Sequence, residues 1–140
     1  MANAPVMLMI PLVSDLLVTT TGGGANSEVK LVLEISEILR LGPQIKQVRG
    51  VWAVEGAATD LRLKVRGRWS ARGLEWSPPS DLSLTFDASA DGTQKVDPTW
   101  ITDTTKFGPF LRPELWAWNG TVGAALSGRV WAWLQVQMVT

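Results

Sequence analysis

Val130-Trp131-Ala132-Trp133-Leu134-Gln135-Val136-Gln137-Met138 alternates without a break. In an extended strand successive side chains leave opposite faces, so Val130, Ala132, Leu134, Val136 and Met138 share one side, and Trp131, Trp133, Gln135 and Gln137 the other. The first set is an aliphatic core face. The second should look outward, yet it carries two indoles. The pattern recurs at Leu115-Trp116-Ala117-Trp118, where Leu115 and Ala117 face one way and Trp116 and Trp118 the other. If the two strands lie in one sheet, Trp116, Trp118, Trp131 and Trp133 share a non-core face. A contiguous apolar patch of that kind implies that something covers it.

Upstream the same period recurs. In Leu61 to Ser70, Leu61, Leu63, Val65, Gly67 and Trp69 line one face and Arg62, Lys64, Arg66 and Arg68 the other. In Ile45 to Glu55, Val48, Gly50, Trp52 and Val54 oppose Arg49, Val51, Ala53 and Glu55. The short connection Gly56 to Asp60 makes these two strands read as a hairpin, with Arg49 extending the basic stripe. Trp69 to Trp76 reads as another hairpin turn, Gly73 supplying a positive φ. Ser77-Pro78-Pro79-Ser80 ends its second arm, because proline cannot donate to a ladder.

Leu82, Leu84, Phe86 and Ala88 then alternate with Ser83, Thr85 and Asp87, and Ala90-Asp91-Gly92-Thr93 is a turn. Asp97 to Asp103 has a loop-like setting. Phe107 to Trp118 is a strand interrupted by Pro109 and Pro113, which suggests an edge or a bulge. Asn119-Gly120 is a turn. Glu28 to Ile38 fits period two at more positions than it fits a helix between a Ser27 cap and a Gly42-Pro43 stop, so a strand is the expectation. The result is about eight short strands separated by Gly, Pro, Asn and Asp, the pattern of an all-β sandwich or barrel.

The chain begins differently. Met7 to Val18 is apolar apart from Ser14 and Asp15, with Pro5 and Pro11 nearby and no Lys or Arg before Lys30. A secretory signal needs a positive start and a clean apolar run, and a spanning helix needs about 20 apolar residues. Neither fits. One reading is a first strand, Leu16 to Thr20, with an extended lead-in. The other is an arm, carrying Val6, Met7, Leu8, Met9, Ile10 and Leu12, that packs on a neighbouring subunit. Ala2 to Leu12 is too apolar to be left in water. The expected division is an apolar arm with a Gly-rich turn over 1–24, through Gly22-Gly23-Gly24, and one sandwich domain over 25–140.

Composition narrows function. The 140 residues hold 13 basic and 13 acidic side chains, so net charge gives no argument for nucleic acid. The chain has no Cys and no His. Thiolate zinc sites, disulfides, cysteine nucleophiles and the usual neutral-pH base are therefore absent. No P-loop, nucleophile elbow or dinucleotide fingerprint occurs. Asp87, Asp91, Asp97 and Asp103 read as turn residues; Asp87 to Asp91 lacks the ligand spacing and closing Glu of a calcium loop. No enzyme, cofactor, metal or membrane partner is expected.

Two surfaces remain. The stripe of Arg62, Lys64, Arg66 and Arg68 is either a solvated face that discourages sheet-to-sheet sticking or the seat of an acidic partner. The Trp face packs under loops or the arm, seals a subunit contact where Trp is enriched, or stacks sugar rings, with Asn119 and Glu114 as the nearby polar groups.

Two resemblances follow from these residues. Trp69-Ser70-Ala71-Arg72-Gly73-Leu74-Glu75-Trp76 is similar to the Ser-x-Asp-Gly-x-x-Trp hairpin of galactose-binding jelly-roll domains, with Arg72 in place of Asp. The apolar N-terminal arm, the compact all-β body and Phe107-Gly108-Pro109-Phe110-Leu111-Arg112 before two final strands resemble small jelly-roll decoration, or cement, proteins of tailed bacteriophage capsids. That resemblance implies a jelly-roll-like sandwich on the surface of a virion. It also implies a homo-oligomer, with a trimer favoured, seated on a major capsid protein. The competing expectation is a carbohydrate-binding module that takes a glycan on its Trp platform.

Overall fold

A computed structural model describes residues 6–21, 31–34, 38–40, 45–56, 60–88, 95–103, 107–121 and 123–138. Among them every regular element is a strand: β1 (Val6–Thr19), β2 (Leu31–Glu34), β3 (Leu39–Arg40), β4 (Ile45–Glu55), β5 (Leu61–Ser70), β6 (Ser80–Asp81), β7 (Phe86–Asp87), β8 (Lys95–Val96), β9 (Phe110–Asn119) and β10 (Ser127–Met138). One sheet runs β1-β10-β4-β8. The other runs β2-β9-β5-β6, with β3 also on β9 and β7 also on β5. The first strand therefore pairs with the last, β2 with β9, β4 with β8, and β5 with β6 and β7. This nesting is what an antiparallel ribbon gives when it folds over on itself, the jelly-roll arrangement. Two of its strand positions are broken, β2/β3 and β6/β7.

The core lies between the sheets. Val48, Trp52 and Val54 of β4 and Val130, Ala132, Leu134 and Val136 of β10 meet Leu61, Leu63, Val65 and Trp69 of β5 and Leu111, Leu115 and Ala117 of β9. These are the faces the alternation selects, because a sandwich strand dries one side only. Trp52 stacks on Phe86 at 5.3 Å and Trp69 on Phe107 at 3.9 Å between ring centres. Gly67 has no room for a side chain: a Cβ there would lie 2.5 Å from Leu111 Cδ1 and 2.7 Å from Leu82 Cδ1.

Four expectations are corrected. Strands β4 and β5 are not a hairpin; they sit in different sheets, and the chain crosses between them. Each carries a full apolar face, so stacking them across the core buries both. Arg49 accordingly does not extend the β5 stripe. Strand β9 is central rather than an edge, and Pro113 opposes Gly67. Proline is tolerated there because β2 pairs only with residues 114–117 of β9 and β3 only with 110–111. The first strand starts at Val6, not Leu16, and follows β10 to Thr19 with register shifts on both sides of Val13. Finally, Leu82 to Ala88 is not one strand. Ser83 Oγ takes the Val65 N–H at 2.9 Å, where a ladder carbonyl would otherwise stand.

The turn after β5 follows its sequence. Gly73 has φ 79°, its N–H donates to Ser70 Oγ at 2.7 Å, and Ser77 N–H closes on Trp69 O at 2.9 Å. Leu31 to Glu34 is strand, as period two implies. The glycine run at 22–24, residues 28–30 and 35–37 of the 28–38 segment and the 90–93 turn lie outside the described residues.

Candidate functional site

The two outer faces of the sandwich differ in kind. On the β9/β5 sheet, Arg62, Lys64, Arg66 and Arg68 face outward as their parity requires, and they meet acidic groups of their own chain. Arg62 pairs with Asp87 at 2.9 Å and lies 3.6 Å from Asp60. Lys64 and Arg66 share Asp81, at 2.8 and 2.9 Å. Arg68 Nε donates to Glu114 Oε1. Glu114 is only 4% exposed although it faces outward, because Arg68 and Trp116 close over it; Trp116 Nε1–H donates to its other oxygen at 3.0 Å. The Arg66 guanidinium lies 4.5 Å above the Trp116 ring, a cation–π contact. The stripe is thus a charge-balanced lattice that also roofs Trp116.

The sequence marked the cations and read Asp87 as a turn residue. The alternation over Leu82 to Ala88 reads as one strand, whereas two separate two-residue strands, β6 and β7, deliver Asp81 and Asp87 beside β5.

The four indoles do not share a face. Strands β9 and β10 belong to opposite sheets, so Trp116 and Trp118 lie on one exterior and Trp131 and Trp133 on the other. The parity reading places each pair outward; the single-sheet condition fails because the chain changes sheets after Asn119. Trp131 stands opposite Ala53, and Trp133 between Val51 and Pro11. Val51 is outward by parity and still 0% exposed, so it is covered from outside. The rest of this face is polar: Arg49 Nε donates to Gln135 Oε1 at 2.6 Å, its guanidinium sits 4.0 Å over Trp100, and Gln47 bonds Gln137. Ala53, Val54, Glu55, Trp131 and Trp133 line a shallow open cleft of about 310 Å³.

Strand β1 borders this face. Its first residues are exposed on both sides: Val6 39%, Met7 45%, Leu8 36% and Met9 49%. Ile10 and Leu12 are partly buried against the core. Further along, Asp15 takes φ 52° and ion-pairs with Arg129 at 2.8 Å.

One polar centre escaped the sequence. Asp97, read as a turn residue, is 4% exposed. Its Oδ2 accepts Gly50 N–H at 2.9 Å and Leu84 N–H at 3.0 Å, and its Oδ1 accepts Trp52 Nε1–H at 3.2 Å. A Cβ on Gly50 would lie 3.0 Å from that carboxylate and 2.7 Å from Trp52 Nε1. A glycine in an otherwise alternating strand, read as close approach by another group, was the available signal. Burial pushes the Asp97 carboxyl above its ordinary range, against the opposing pull of its N–H donors and Arg49. Its bonds tie β4 to the segment after β6, so its work is structural. Among the described residues no group of three or more acidic side chains is placed to hold a metal.

No family model matches the chain and no curated protein matches it. Solved structures do. The VP2 subviral particle of infectious bursal disease virus matches with TM-score 0.62 and 10% identity, over 99% of this chain and 34% of that one. The same virus's Gx strain structure gives 0.59 and 12%, over 99% and 33%. T=1 particles derived from the virus give 0.58 and 12%, over 99% and 32%. The chain spans about a third of the length of the solved chains it matches. At these identities the likeness is one of fold: the chain is an all-β sandwich of the kind found in viral capsid proteins. The chains named here are capsid proteins, not phage decoration proteins.

Proposed function

We propose that this chain is a non-enzymatic structural protein of a virion, a decoration or cement subunit on the capsid surface that stabilises the head through contacts with its own copies and with a major capsid protein. The observation that carries the reading is the jelly-roll likeness to viral capsid proteins over 99% of the chain. Strand β1 supports it: four consecutive apolar residues exposed on both faces are costly in water and gain from burial at a subunit contact. Among the surfaces suggested by sequence, Val6 to Leu12 and the Trp131/Trp133 face are the contacts we propose. The basic stripe has its charges matched within the chain. Mass spectrometry of purified particles tests the role. The protein should be present at stoichiometric copy number, and heads lacking it should lose genome at lower temperature. Absence from particles would overturn the reading.

A second reading has one observation in its favour, the open cleft bounded by Trp131, Trp133 and Glu55. Indole faces suit sugar rings, and a carboxylate can accept from hydroxyls. A glycan bound there would shift tryptophan fluorescence, and Trp131→Ala would remove the shift.

A further inference from the structure

Strand β1 is terminal in its sheet, so one side of its backbone meets no other strand among the described residues. Which of its groups face that open side follows from bonds two strands away. In β4, Val48 N–H and C=O are taken by Ile101 at 3.1 and 2.7 Å. Gly50 C=O accepts from Asp97 N–H at 3.0 Å, and Gly50 N–H donates to Asp97 Oδ2. Both residues therefore direct their groups away from β10. Their partners on β10, Val136 and Leu134, must direct theirs toward β1, onto Leu8 and Ile10. Antiparallel ladders alternate, so Met7 and Met9 point N–H and C=O to the open side. Pro11 falls on the same side, where its missing N–H costs nothing.

The sequence mirrors itself about Leu8: Pro5-Val6-Met7-Leu8-Met9-Ile10-Pro11. An antiparallel copy centred there sets β-branched Val6 against Ile10, methionine against methionine and leucine against leucine. We infer that Val6–Ile10 is a two-fold pairing edge, on which β1 of a second copy of this chain adds in antiparallel register, Leu8 opposite Leu8 and Met7 opposite Met9. Two Met7–Met9 pairs supply the hydrogen bonds. Pro11 and the register shifts around Val13 end the ladder beyond them. The window holds no charge to resist pairing, whereas the later part of β1 carries Asp15. A contact five residues long spans only about 17 Å, short of a standard interface, so in solution it is reversible and depends on concentration. This deepens the proposed subunit role and rests on it only for biological setting.

The chain has no cysteine, so single-cysteine variants of the full chain read the register directly. Under mild oxidation Leu8→Cys should give a disulfide dimer, because residues directly opposite at this kind of position have Cβ atoms about 4.5–5.5 Å apart. Met7→Cys alone should not, and a mixture of Met7→Cys with Met9→Cys should. In sedimentation equilibrium, Met7→Lys with Met9→Lys should weaken self-association at least about tenfold. Met7→Lys with Met9→Glu should restore it, since each Lys then faces a Glu. Thermal unfolding of each variant confirms that the sandwich is intact. Equal cross-linking at all three positions, growth into unlimited aggregates, or a monomer at every concentration overturns the inference. Each of these leaves the virion role to be judged on particle composition alone.

Discussion

Replacing Asp97 separates a tie inside the sandwich from an incidental buried charge. Asp97→Ala leaves the N–H groups of Gly50, Leu84 and Trp52 without their acceptor. A buried donor stripped of its partner costs about 1–3 kcal/mol. Relief of the carboxylate's own desolvation offsets part of that sum, so the net loss should be about 3–5 kcal/mol, a large share of the ~5–15 kcal/mol expected for a domain. Asp97→Asn keeps the shape and one acceptor. With its oxygen toward Gly50 and Leu84 it turns an NH₂ against the Trp52 N–H, so it should cost about 1–3 kcal/mol. Urea unfolding followed by tryptophan fluorescence measures both, with unchanged m-values certifying the comparison. The pH dependence adds a second constraint. Burial raises the folded-state pKa of Asp97 above its ordinary 3.8, so across that window the native state holds the proton more than the unfolded chain does. Stability from this group is then full below the ordinary value and falls as pH rises through the folded one. The stability gap between wild type and Asp97→Asn should therefore shrink as pH rises from about 4. An Asp97→Asn protein as stable as wild type at acid pH would refute the tie. A gap that widens with pH would show that the N–H donors outweigh burial.

Gly67→Ala should destabilise by about 1–3 kcal/mol through overpacking, since the new methyl meets Leu111 and Leu82 inside contact distance; denaturant midpoints read it. A double-mutant cycle on Arg68 and Glu114 should give a coupling of about 1–2 kcal/mol, against less than about 1 for the more exposed Lys64–Asp81 pair, and equal couplings would mean that the burial of Glu114 does not strengthen its bond. Asp60 has its pKa lowered chiefly by the Thr121 hydroxyl, with the Thr121 N–H and Arg62 helping. Its stabilisation is thus present above the ordinary value of 3.8 and lost as pH falls through the folded one, so Thr121→Val should flatten the acid limb of the stability curve.

What could be read from the sequence was whatever one strand settles with its own solvent. The inward sets of β4, β5, β9 and β10 followed from alternation because each strand has one dry and one wet face, and a slip of one residue would invert it. Which strands become neighbours was not readable in this way. Gly56 to Asp60 is long enough for a hairpin and for a crossing between sheets, and nothing local distinguishes them. That ambiguity moved Arg49 to the wrong sheet, and the same ambiguity in the connection after Asn119, between β9 and β10, put four indoles on a common face. Asp87 read as turn chemistry and Asp81 carried no signal, because β6 and β7 are two residues each and their pairing with β5 is not local. Asp97 looked the same, for its donors come from residues 50, 52 and 84. Long-range polar ties have no local signature except the space left for them, as at Gly50.

The two sheet exteriors then show where a partner is needed. On the β5 face each basic side chain of the stripe already meets a carboxylate, and Arg66 and Glu114 both engage Trp116. A partner docking there would have to replace ion pairs that are already made, with little net gain. On the β10 side, a cleft bounded by two indoles lies open and β1 adds an apolar edge. Edge strands in soluble proteins are usually blunted by charge, proline, bulges or cover. The later part of β1 has three of these: Pro11, the shifts around Val13, and Asp15 with its positive φ paired to Arg129. Val6 to Ile10 has none. Guarding one half of a strand and not the other is hard to explain by solubility alone, since an unguarded apolar window suffices to seed association. A contact that uses the window and must end at its boundary accounts for both halves. Because Pro11 meets Pro5 of the second copy in the register centred on Leu8, replacing both, Pro5→Val with Pro11→Val, should lengthen the ladder and tighten the two-fold dimer, visible as a lower dissociation constant in sedimentation equilibrium. A double variant that associates as weakly as wild type would show that the prolines do not set the limit.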